Sequence, residues 1–222
     1  MEKKSDEEII AERELQLRIS IFTEIMKEVP ERYRDVSFKS MPHHPKVKLD
    51  AQRWNDVVAN LDKRTRENPE RGIVFYGPPS VGKTTLMAAV FRRLANLETA
   101  RRAAGSGKYI LHWLDVGAWA EQAIDYKFGK CRKPRLTAED LLRSQVRVAL
   151  FLDEFDKVGD QQNKRDILDA FVRAAYDKRA LIFAATNMTR EEFESMQDGH
   201  LTRRIKEDGD NLNVNLFEGE SK

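Results

Sequence analysis

A nine-residue segment that links an apolar run to a helical pattern constrains the fold of this 222-residue chain more than any other feature. The apolar run, Ile73–Tyr76, has the β-branched and aromatic residues that are typical of a buried strand. The helical pattern begins at the last two residues of the segment, with apolar residues recurring at helical spacing through residues 84–97. The segment between them consists of Gly77, Pro78, Pro79, Ser80, Val81, Gly82, Lys83, Thr84 and Thr85.

The spacing of this segment, G-x-x-x-x-G-K-[ST], is typical of a loop that binds phosphate groups. Its glycines allow the backbone to curl so that several N–H groups point at phosphate oxygens, and the start of the following helix adds a positive potential. Lys83 is long enough to reach the β- and γ-phosphates, and the Thr84 hydroxyl can bind Mg²⁺. The sequence therefore predicts a site for a nucleoside triphosphate with Mg²⁺.

Further strand-like apolar runs alternate with helical patterns after this loop. The runs cover residues 109–114, 146–152, 181–185 and 212–217, and an apolar helical face covers residues 167–176. Strands separated by helices of this length form βαβ units, in which helices cover both faces of a parallel sheet. The sequence therefore predicts an α/β fold with a parallel five-stranded sheet flanked by helices.

Two acidic residues, Asp153 and Glu154, end the apolar run over residues 146–152. At the carboxyl end of a strand beside the phosphate loop, Asp153 can hold Mg²⁺ or its water shell. Glu154 can polarise the water molecule that attacks the γ-phosphate. The alternative is a solvated acidic turn over residues 153–156, which is the weaker interpretation because a phosphate loop of this type needs such an acid.

A polar residue, Asn187, follows the next apolar run. Its amide can orient the attacking water or contact the γ-phosphate, which is the interpretation that we favour. An asparagine after a strand also often caps a helix, and residues 188–192 would allow a helix to start here.

Taken together, four short segments resemble those of the AAA+ ATPases, and within them the DnaC/IstB-like group of helicase loaders and transposition helpers. The segments are GPPSVGKTT (77–85), VALFLDE (148–154), ATN (185–187) and LTRRI (201–205). The resemblance implies a P-loop AAA+ core that hydrolyses ATP with Mg²⁺. Only 18 residues follow Arg204, so the resemblance also implies that the chain lacks the C-terminal helical lid of most AAA+ proteins.

The resemblance assigns roles to further residues. Residues 29–38 look like the stretch that lies against the adenine in this group. Arg204 occupies the place of the arginine finger, with Arg203 beside it, and either would reach the γ-phosphate held by a neighbouring protomer. The chain would therefore act as an ATP-dependent oligomer. Many relatives use a basic residue near the C-terminus as a second sensor, for which only Lys222 is available here.

Composition narrows the expected partners and location. Lys and Arg total 39 against 37 for Asp and Glu, so a generally polyanion-binding surface is not expected. The single cysteine, Cys131, excludes an intrachain disulfide and suits a reducing compartment. The longest apolar run has six residues, far fewer than the roughly 20 that span a bilayer. We expect a cytoplasmic protein with no membrane partner.

Residues 126–135, which we call the basic segment, contain five basic residues, two aromatic residues and no acid. Basic side chains attract the phosphate backbone and aromatic rings stack on unpaired bases, so the segment suits single-stranded DNA. The alternative is a solvated loop whose aromatic rings pack on the core. The candidate DNA-contacting residues are Lys127, Phe128, Lys130, Arg132, Lys133 and Arg135.

The first 30 residues form a predicted amphipathic helix. Its apolar stripe consists of Leu15, Ile19, Phe22, Met26 and Val29. This stripe could cover the core or form a coiled coil, and it also resembles a short version of the helical region with which loaders of this group bind the replicative helicase. The expected division is an N-terminal helix (1–30), a connector with a helix before the P-loop (31–70) and the ATPase core (71–222).

The resemblance favours a lidless ATPase that oligomerises on single-stranded DNA and delivers a hexameric replicative helicase to it, with hydrolysis for release. An IstB-like transposition helper, which acts with a transposase on double-stranded DNA, has the same motifs and is the alternative. A small nucleotide kinase would need a base-discriminating lid that the sequence does not show. A scaffold that binds ATP without hydrolysing it would make Glu154 dispensable.

Overall fold

From residue 73 onward, helices separate the successive strands of the chain, as the sequence predicts. The computed structural model describes residues 5–41, 51–69, 72–158, 161–195 and 212–216. Short 3₁₀ helices occupy Glu31–Tyr33 and Phe155–Val158. In the described ranges no helix is long and apolar enough to cross a membrane. The helices are α1 (Asp6–Met26), α2 (Ala51–Glu67), α3 (Lys83–Ala103), α4 (Val116–Lys127), α5 (Ala138–Arg143), α6 (Gln162–Asp177) and α7 (Arg190–Ser195).

The strands form one parallel five-stranded sheet in the order β2-β3-β4-β1-β5. This confirms the predicted α/β class and the parallel sheet, and each predicted run contributes one strand. The observed strand ends coincide with the predicted ones or differ from them by one or two residues. The strands are β1 (Ile73–Tyr76), β2 (Tyr109–Asp115), β3 (Arg147–Asp153), β4 (Leu181–Thr186) and β5 (Leu212–Asn215).

The two faces of the sheet carry separate apolar layers. Phe75, Phe151 and Phe183 lie on the face covered by α1, α2 and α3, and the rings of Phe151 and Phe183 stack at 4.3 Å. Val74 and Leu150 lie on the face covered by α4, α5 and α6. Because both faces are buried, the inner strands β1, β3 and β4 are nearly continuous apolar runs, whereas the edge strand β2 is partly exposed.

Helices α4 and α5 were not predicted from the apolar pattern, and both begin at side-chain caps. The Asp115 carboxylate accepts a hydrogen bond from the Ala118 N–H at 3.0 Å and so caps α4. Thr137 and Asp140 form a reciprocal capping box at the start of α5. The spacing Thr137-x-x-Asp140 is a recognised start signal, so capping residues could have located α5 where periodicity could not.

The predicted stripe of α1 is only partly buried. Met26 and Val29, together with Ile25, belong to the core layer above α3, and Phe22 packs against it. The earlier turns lie outside this contact. The large apolar side chains in these turns that are about half exposed are Ile10, Leu15, Leu17 and Ile19. The helix therefore covers the core with its last two turns and presents apolar residues to solvent over the preceding ones.

The pairing of the strands brings the predicted site residues to one edge of the sheet. In the parallel register, Tyr76 at the end of β1 pairs with Thr186 at the end of β4, and Asp115 pairs with Asp153. The phosphate loop follows β1, so it meets the polar ends of β3 and β4 at the carboxyl edge, where α/β sheets bind ligands.

Candidate active site

A cleft of about 540 Å³, which we call the nucleotide cleft, lies at the carboxyl edge of the sheet. The segment that follows α1 supplies one wall through Pro30, Arg32 and Tyr33. The ends of β3 and β4 supply acidic and amide groups that face the phosphate loop. The phosphate-loop residues that line the cleft are Pro79, Ser80, Gly82, Lys83, Thr84 and Thr85.

Gly82 is required by both its backbone and its surroundings. Its φ of +92° lies in the left-handed region, which residues other than glycine rarely adopt. A Cβ at this position would lie 2.7 Å from Cη2 of Trp54, a buried residue of α2. Gly82 also precedes α3 without a side-chain cap, which leaves the N–H groups of the first turn for a ligand.

Three residues of the loop support it rather than line the cleft. A Cβ on Gly77 would lie 2.9 Å from Cβ of Leu216, so the loop passes directly against the residue after β5. Val81 is buried in the apolar layer above α3. Pro78 contributes its backbone carbonyl to the contacts of Lys83.

The Lys83 side chain is buried and uses three protein oxygens. Its Nζ donates to the carbonyls of Gly77 at 2.7 Å and Pro78 at 2.8 Å, and to Oδ1 of Asn187 at 2.8 Å. Burial lowers the pKa of Lys83 to about 8, although the charges of Asp156, Asp153 and Glu154 oppose that decrease. A buried ammonium between the loop and β4 is placed to meet a polyphosphate.

The donor set around Thr84 and Asp153 fits Mg²⁺. The Thr84 hydroxyl donates to Oδ1 of Asp153 at 3.0 Å, which joins the start of α3 to the end of β3. Asp153 is 8% exposed, and burial raises its pKa to about 6 despite hydrogen bonds from Thr84 and the Glu154 N–H. A hydroxyl and a carboxylate next to the phosphate loop are the oxygen ligands that Mg²⁺ prefers beside phosphates.

Glu154 faces the cleft from a backbone conformation that is uncommon for its residue type. Its φ is +52°, and its side chain is 47% exposed with Lys157 Nζ 3.6 Å from Oε2. Non-glycine residues with positive φ concentrate at functional sites. Asp153 and Phe155 on either side are buried, so residues 153–156 do not form the fully solvated acidic turn that was the alternative.

Asn187 points into the cleft instead of capping a helix. The cap of α7 is made by Thr189, whose hydroxyl accepts from the Glu192 N–H at 3.1 Å. The Asn187 amide contacts Lys83 through Oδ1 and Asp156 through Nδ2, the latter at 2.9 Å. Asp156 has no role predicted from the sequence, because no motif connects it with a residue 31 positions later.

The segment after α1 is held in place by arginine contacts. Arg34 Nε donates to the Val29 carbonyl at 3.0 Å, and Arg92 of α3 donates to the Arg34 carbonyl. These contacts bring Tyr33 to the cleft, where part of residues 29–38 was expected to lie against a base.

The basic segment lies away from this network and is mostly exposed. Phe128 and Tyr126 are 61% and 45% exposed, so their rings do not pack in the core. Lys133 pairs with Asp140 at 2.5 Å, and Arg135 pairs with Glu28. The other candidate DNA-contacting residues, without an ion-pair partner in the described part of the chain, are Lys127, Lys130 and Arg132.

Three residues with proposed roles, Arg203, Arg204 and Lys222, lie outside the described residues.

Two curated relatives match part of this chain in sequence, and they are different kinds of protein. The ATP-dependent zinc metalloprotease FtsH 2 of Thermoanaerobacter sp. (strain X514) is 26% identical over 143 residues, which is 64% of this chain and 25% of that protein. Replication factor C subunit 5 of Arabidopsis thaliana is 24% identical over 186 residues, 79% of this chain and 45% of that protein. The chain thus spans less than half of the length of these relatives.

This chain aligns with one solved structure over nearly the whole length of that structure. The crystal structure of the DnaC helicase loader aligns with a TM-score of 0.53 and 18% identity, covering 85% of this chain and 99% of that one. This likeness is one of fold. The family model for the ATPase family associated with various cellular activities (AAA) matches residues 73–206, more than half of the chain. The match includes the phosphate loop, Asp153, Glu154 and Asn187. The chain therefore belongs to the AAA family.

Proposed function

We propose that this chain is a Mg²⁺-dependent ATPase that oligomerises, binds single-stranded DNA and delivers a hexameric replicative helicase to it, with ATP hydrolysis for release. The proposal keeps the cytoplasmic location expected from the sequence. The observation that carries the ATPase part is the convergence of Lys83, the Thr84–Asp153 pair and Asn187 in one cleft of an AAA-family chain.

Each polar group of the cleft has a separate role in this proposal. The uncapped start of α3 and the Lys83 ammonium bind the phosphates of ATP. Thr84 and Asp153 hold Mg²⁺, which supplies neutralising charge to the β- and γ-phosphates when bound. Glu154, the more exposed acid, polarises the attacking water, and Asn187 orients that water or the γ-phosphate.

Hydrolysis is proposed to need a second copy of the chain. Arg203 or Arg204 of one protomer reaches the γ-phosphate held by its neighbour and stabilises charge in the transition state. Mixing Lys83→Ala with Arg204→Ala protein should then restore part of the ATPase rate, because a mixed interface joins an intact cleft to an intact arginine. The absence of recovery at any mixing ratio would argue against this role of Arg204.

The DNA part of the proposal is supported by the exposed half of the basic segment. The Phe128 ring is available for stacking, with Lys130 Nζ 5.8 Å from its centre, and Lys127 and Arg132 flank it. Lys133 and Arg135 already have acidic partners, which makes them weaker candidates than the sequence suggested.

The helicase part of the proposal is supported by the fold of DnaC, which is described as a helicase loader, and by the exposed apolar residues of α1. Of these residues, Leu15 and Ile19 lie one turn apart on the predicted stripe, and such a pair of exposed apolar side chains is suited to a groove on a partner. We retain the division into 1–30, 31–70 and 71–222, but assign partner binding to the first turns of α1, since Met26 and Val29 belong to the core.

Binding to the purified replicative helicase of the same cell tests the proposal. The Glu154→Gln protein, held in ATP and Mg²⁺ with single-stranded DNA, should form a complex that light scattering detects after gel filtration. Replacing Ile10, Leu15, Leu17 and Ile19 by Gln should abolish the complex, whereas replacing the exposed apolar residues Leu142 and Val146 by Gln should not. Failure of the parent protein to bind the helicase, with binding of a transposase instead, would favour the transposition helper.

A further inference from the structure

Asp156, which lines the nucleotide cleft, forms a small hydrogen-bond network with the end of β4. It is the second residue of the 3₁₀ helix after β3, and its carboxylate accepts three hydrogen bonds from the end of β4. The donors are the Asn187 backbone N–H at 2.9 Å, the Asn187 Nδ2 at 2.9 Å and the Thr186 hydroxyl at 3.3 Å. Asp156 therefore joins the segment after β3 to the end of β4.

These contacts determine which end of the Asn187 amide faces the phosphate loop. A carboxylate only accepts hydrogen bonds, so Asp156 selects the NH₂ end of the amide. The carbonyl end then faces Lys83 Nζ, to which it is bonded at 2.8 Å. With the amide reversed, an NH₂ group would face the ammonium, and two donors cannot bond to each other.

The network also connects Asn187 with the charge that binds phosphate. Lys83, Asn187 and Asp156 form a continuous chain from the phosphate loop to the 3₁₀ helix. An asparagine that contacts the γ-phosphate can distinguish ATP from ADP only if its amide is held in one orientation. A charge-assisted pair of hydrogen bonds is suited to hold it.

We propose that Asp156 is a positioning residue that fixes the amide of Asn187, and that the preference of the cleft for a triphosphate over a diphosphate depends on it. This inference rests on the proposed function in that the cleft binds ATP and Asn187 contacts its γ-phosphate; it does not require hydrolysis, DNA or a helicase. The competing explanation is that Asp156 merely ties the ends of β3 and β4 together.

The test is the ratio of the dissociation constants for ADP and for the non-hydrolysable ATP analogue AMPPCP, measured by calorimetry on the full chain with Mg²⁺. The wild-type chain should bind AMPPCP at least about tenfold more tightly than ADP, since a hydrogen bond to a charged group contributes about 1.5–3 kcal/mol. Asp156→Asn should reduce this ratio to about one, as Asn187→Ala should. Asp166→Asn, on the exposed side of α6 where it accepts from Gln162 at 2.7 Å, is the matched control and should keep the wild-type ratio.

A double-mutant cycle separates positioning from a structural tie. If Asp156 acts through Asn187, the double variant Asp156→Asn/Asn187→Ala should have the ratio of Asn187→Ala alone, within about threefold. The proposal is overturned if the ratio survives in Asp156→Asn, if the effects of the two substitutions multiply, or if the wild-type chain shows no preference at all. Because the readout is equilibrium binding, a failure of ATP hydrolysis or of helicase binding would leave its outcome unaffected.

A second measurement covers the case in which Asp156→Asn does not fold. In the wild-type chain, the side-chain NH₂ signal of Asn187, assigned by its disappearance in Asn187→Ala, should exchange with solvent at least about tenfold more slowly than a free asparagine amide. Exchange at the free rate would show that Asp156 does not hold the amide and would overturn the proposal.

Discussion

The nucleotide cleft and the basic segment both present several charged groups, but they hold them in opposite ways. In the cleft, Lys83 and Asp153 are each 8% exposed, and their side chains bond to groups on other elements of the fold. In the basic segment, Lys127, Lys130 and Arg132 are exposed, and Lys133 and Arg135 pair with acids. The charged groups of the cleft are held by hydrogen bonds between elements, whereas three of those in the segment are exposed to solvent.

This difference determines what a substitution should do in each region. Buried and bonded charges act at fixed distances in a medium that salt screens poorly, so each substitution in the cleft should have a large effect. Exposed charges act through the counterions that they displace, so their effects should be modest, additive and dependent on salt. Substitutions in the two regions, and a change of pH, therefore test this contrast.

Lys83→Ala should weaken ATP binding by about 100-fold, because it removes a charged donor to the phosphates. Calorimetric titration with ATP and Mg²⁺ measures this change at low and at moderate salt. Lys130→Ala removes the same charge from the basic segment and should leave ATP affinity within about twofold. Equal decreases in ATP affinity in the two variants would contradict the proposed difference between the nucleotide cleft and the basic segment.

Gly82→Ala should lower the free energy of unfolding by about 2–4 kcal/mol. The alanine would have to adopt a left-handed φ, and its Cβ would clash with the Trp54 ring. Urea denaturation measures the change. Gly105→Ala is the matched control, because its φ of +72° is also left-handed but no atom lies within 4 Å of the new Cβ. We expect about 1 kcal/mol there. Similar decreases at both glycines would contradict the contact with Trp54.

The triple variant Lys127→Ala/Lys130→Ala/Arg132→Ala should weaken binding to single-stranded DNA by about tenfold in low salt. The slope of log affinity against log salt concentration should become shallower by about 0.7 for each phosphate that the variant no longer neutralises. Fluorescence anisotropy with a labelled oligonucleotide over a salt series measures both quantities. The double variant Lys133→Ala/Arg135→Ala should have a smaller effect, because those charges are already paired. The reverse order of effects would place the DNA on the paired side of the segment.

ATP binding should weaken by about threefold between pH 7.5 and pH 8.5. Burial lowers the pKa of Lys83 to about 8 in the free chain, so its ammonium loses its proton in this range while the phosphates favour the protonated form. Binding should therefore take up a proton, which calorimetry in buffers of different ionisation enthalpy detects. The Lys130→Ala chain should show the same dependence. A constant affinity with no proton uptake would show that Lys83 remains charged.

The parts of this structure that follow from local patterns could be predicted from the sequence. Strand β1 has the predicted ends, and the phosphate loop, Asp153, Glu154 and Asn187 meet at one edge because parallel strands end together. Local patterns also indicated that α1 is helical. They could not show that its stripe meets the core only from about Phe22 onward, since this depends on where α3 lies.

Contacts between residues that lie far apart in the sequence could not be predicted from it. The bonds of Asp156 with Asn187 and of Arg135 with Glu28 join residues that no periodicity or motif connects, and the second pair is separated by 107 positions. Both depend on which side chains the fold brings together. The first pair is the basis of the role proposed for Asp156, and the second makes Arg135 a weaker candidate for a DNA contact.

Whether the nucleotide cleft is built to hydrolyse ATP is decided by comparing Glu154→Gln with the wild-type chain. The rate of phosphate release with saturating ATP and Mg²⁺ should fall at least about 100-fold in the variant, because the water loses its polarising carboxylate. ATP affinity should stay within about threefold, since the contacts of Lys83, Thr84 and Asp153 are unchanged. Glu121→Gln, on the exposed surface of α4, should behave as the wild-type chain does. Wild-type turnover in Glu154→Gln would contradict the assignment of Glu154 and with it the catalytic account of the cleft.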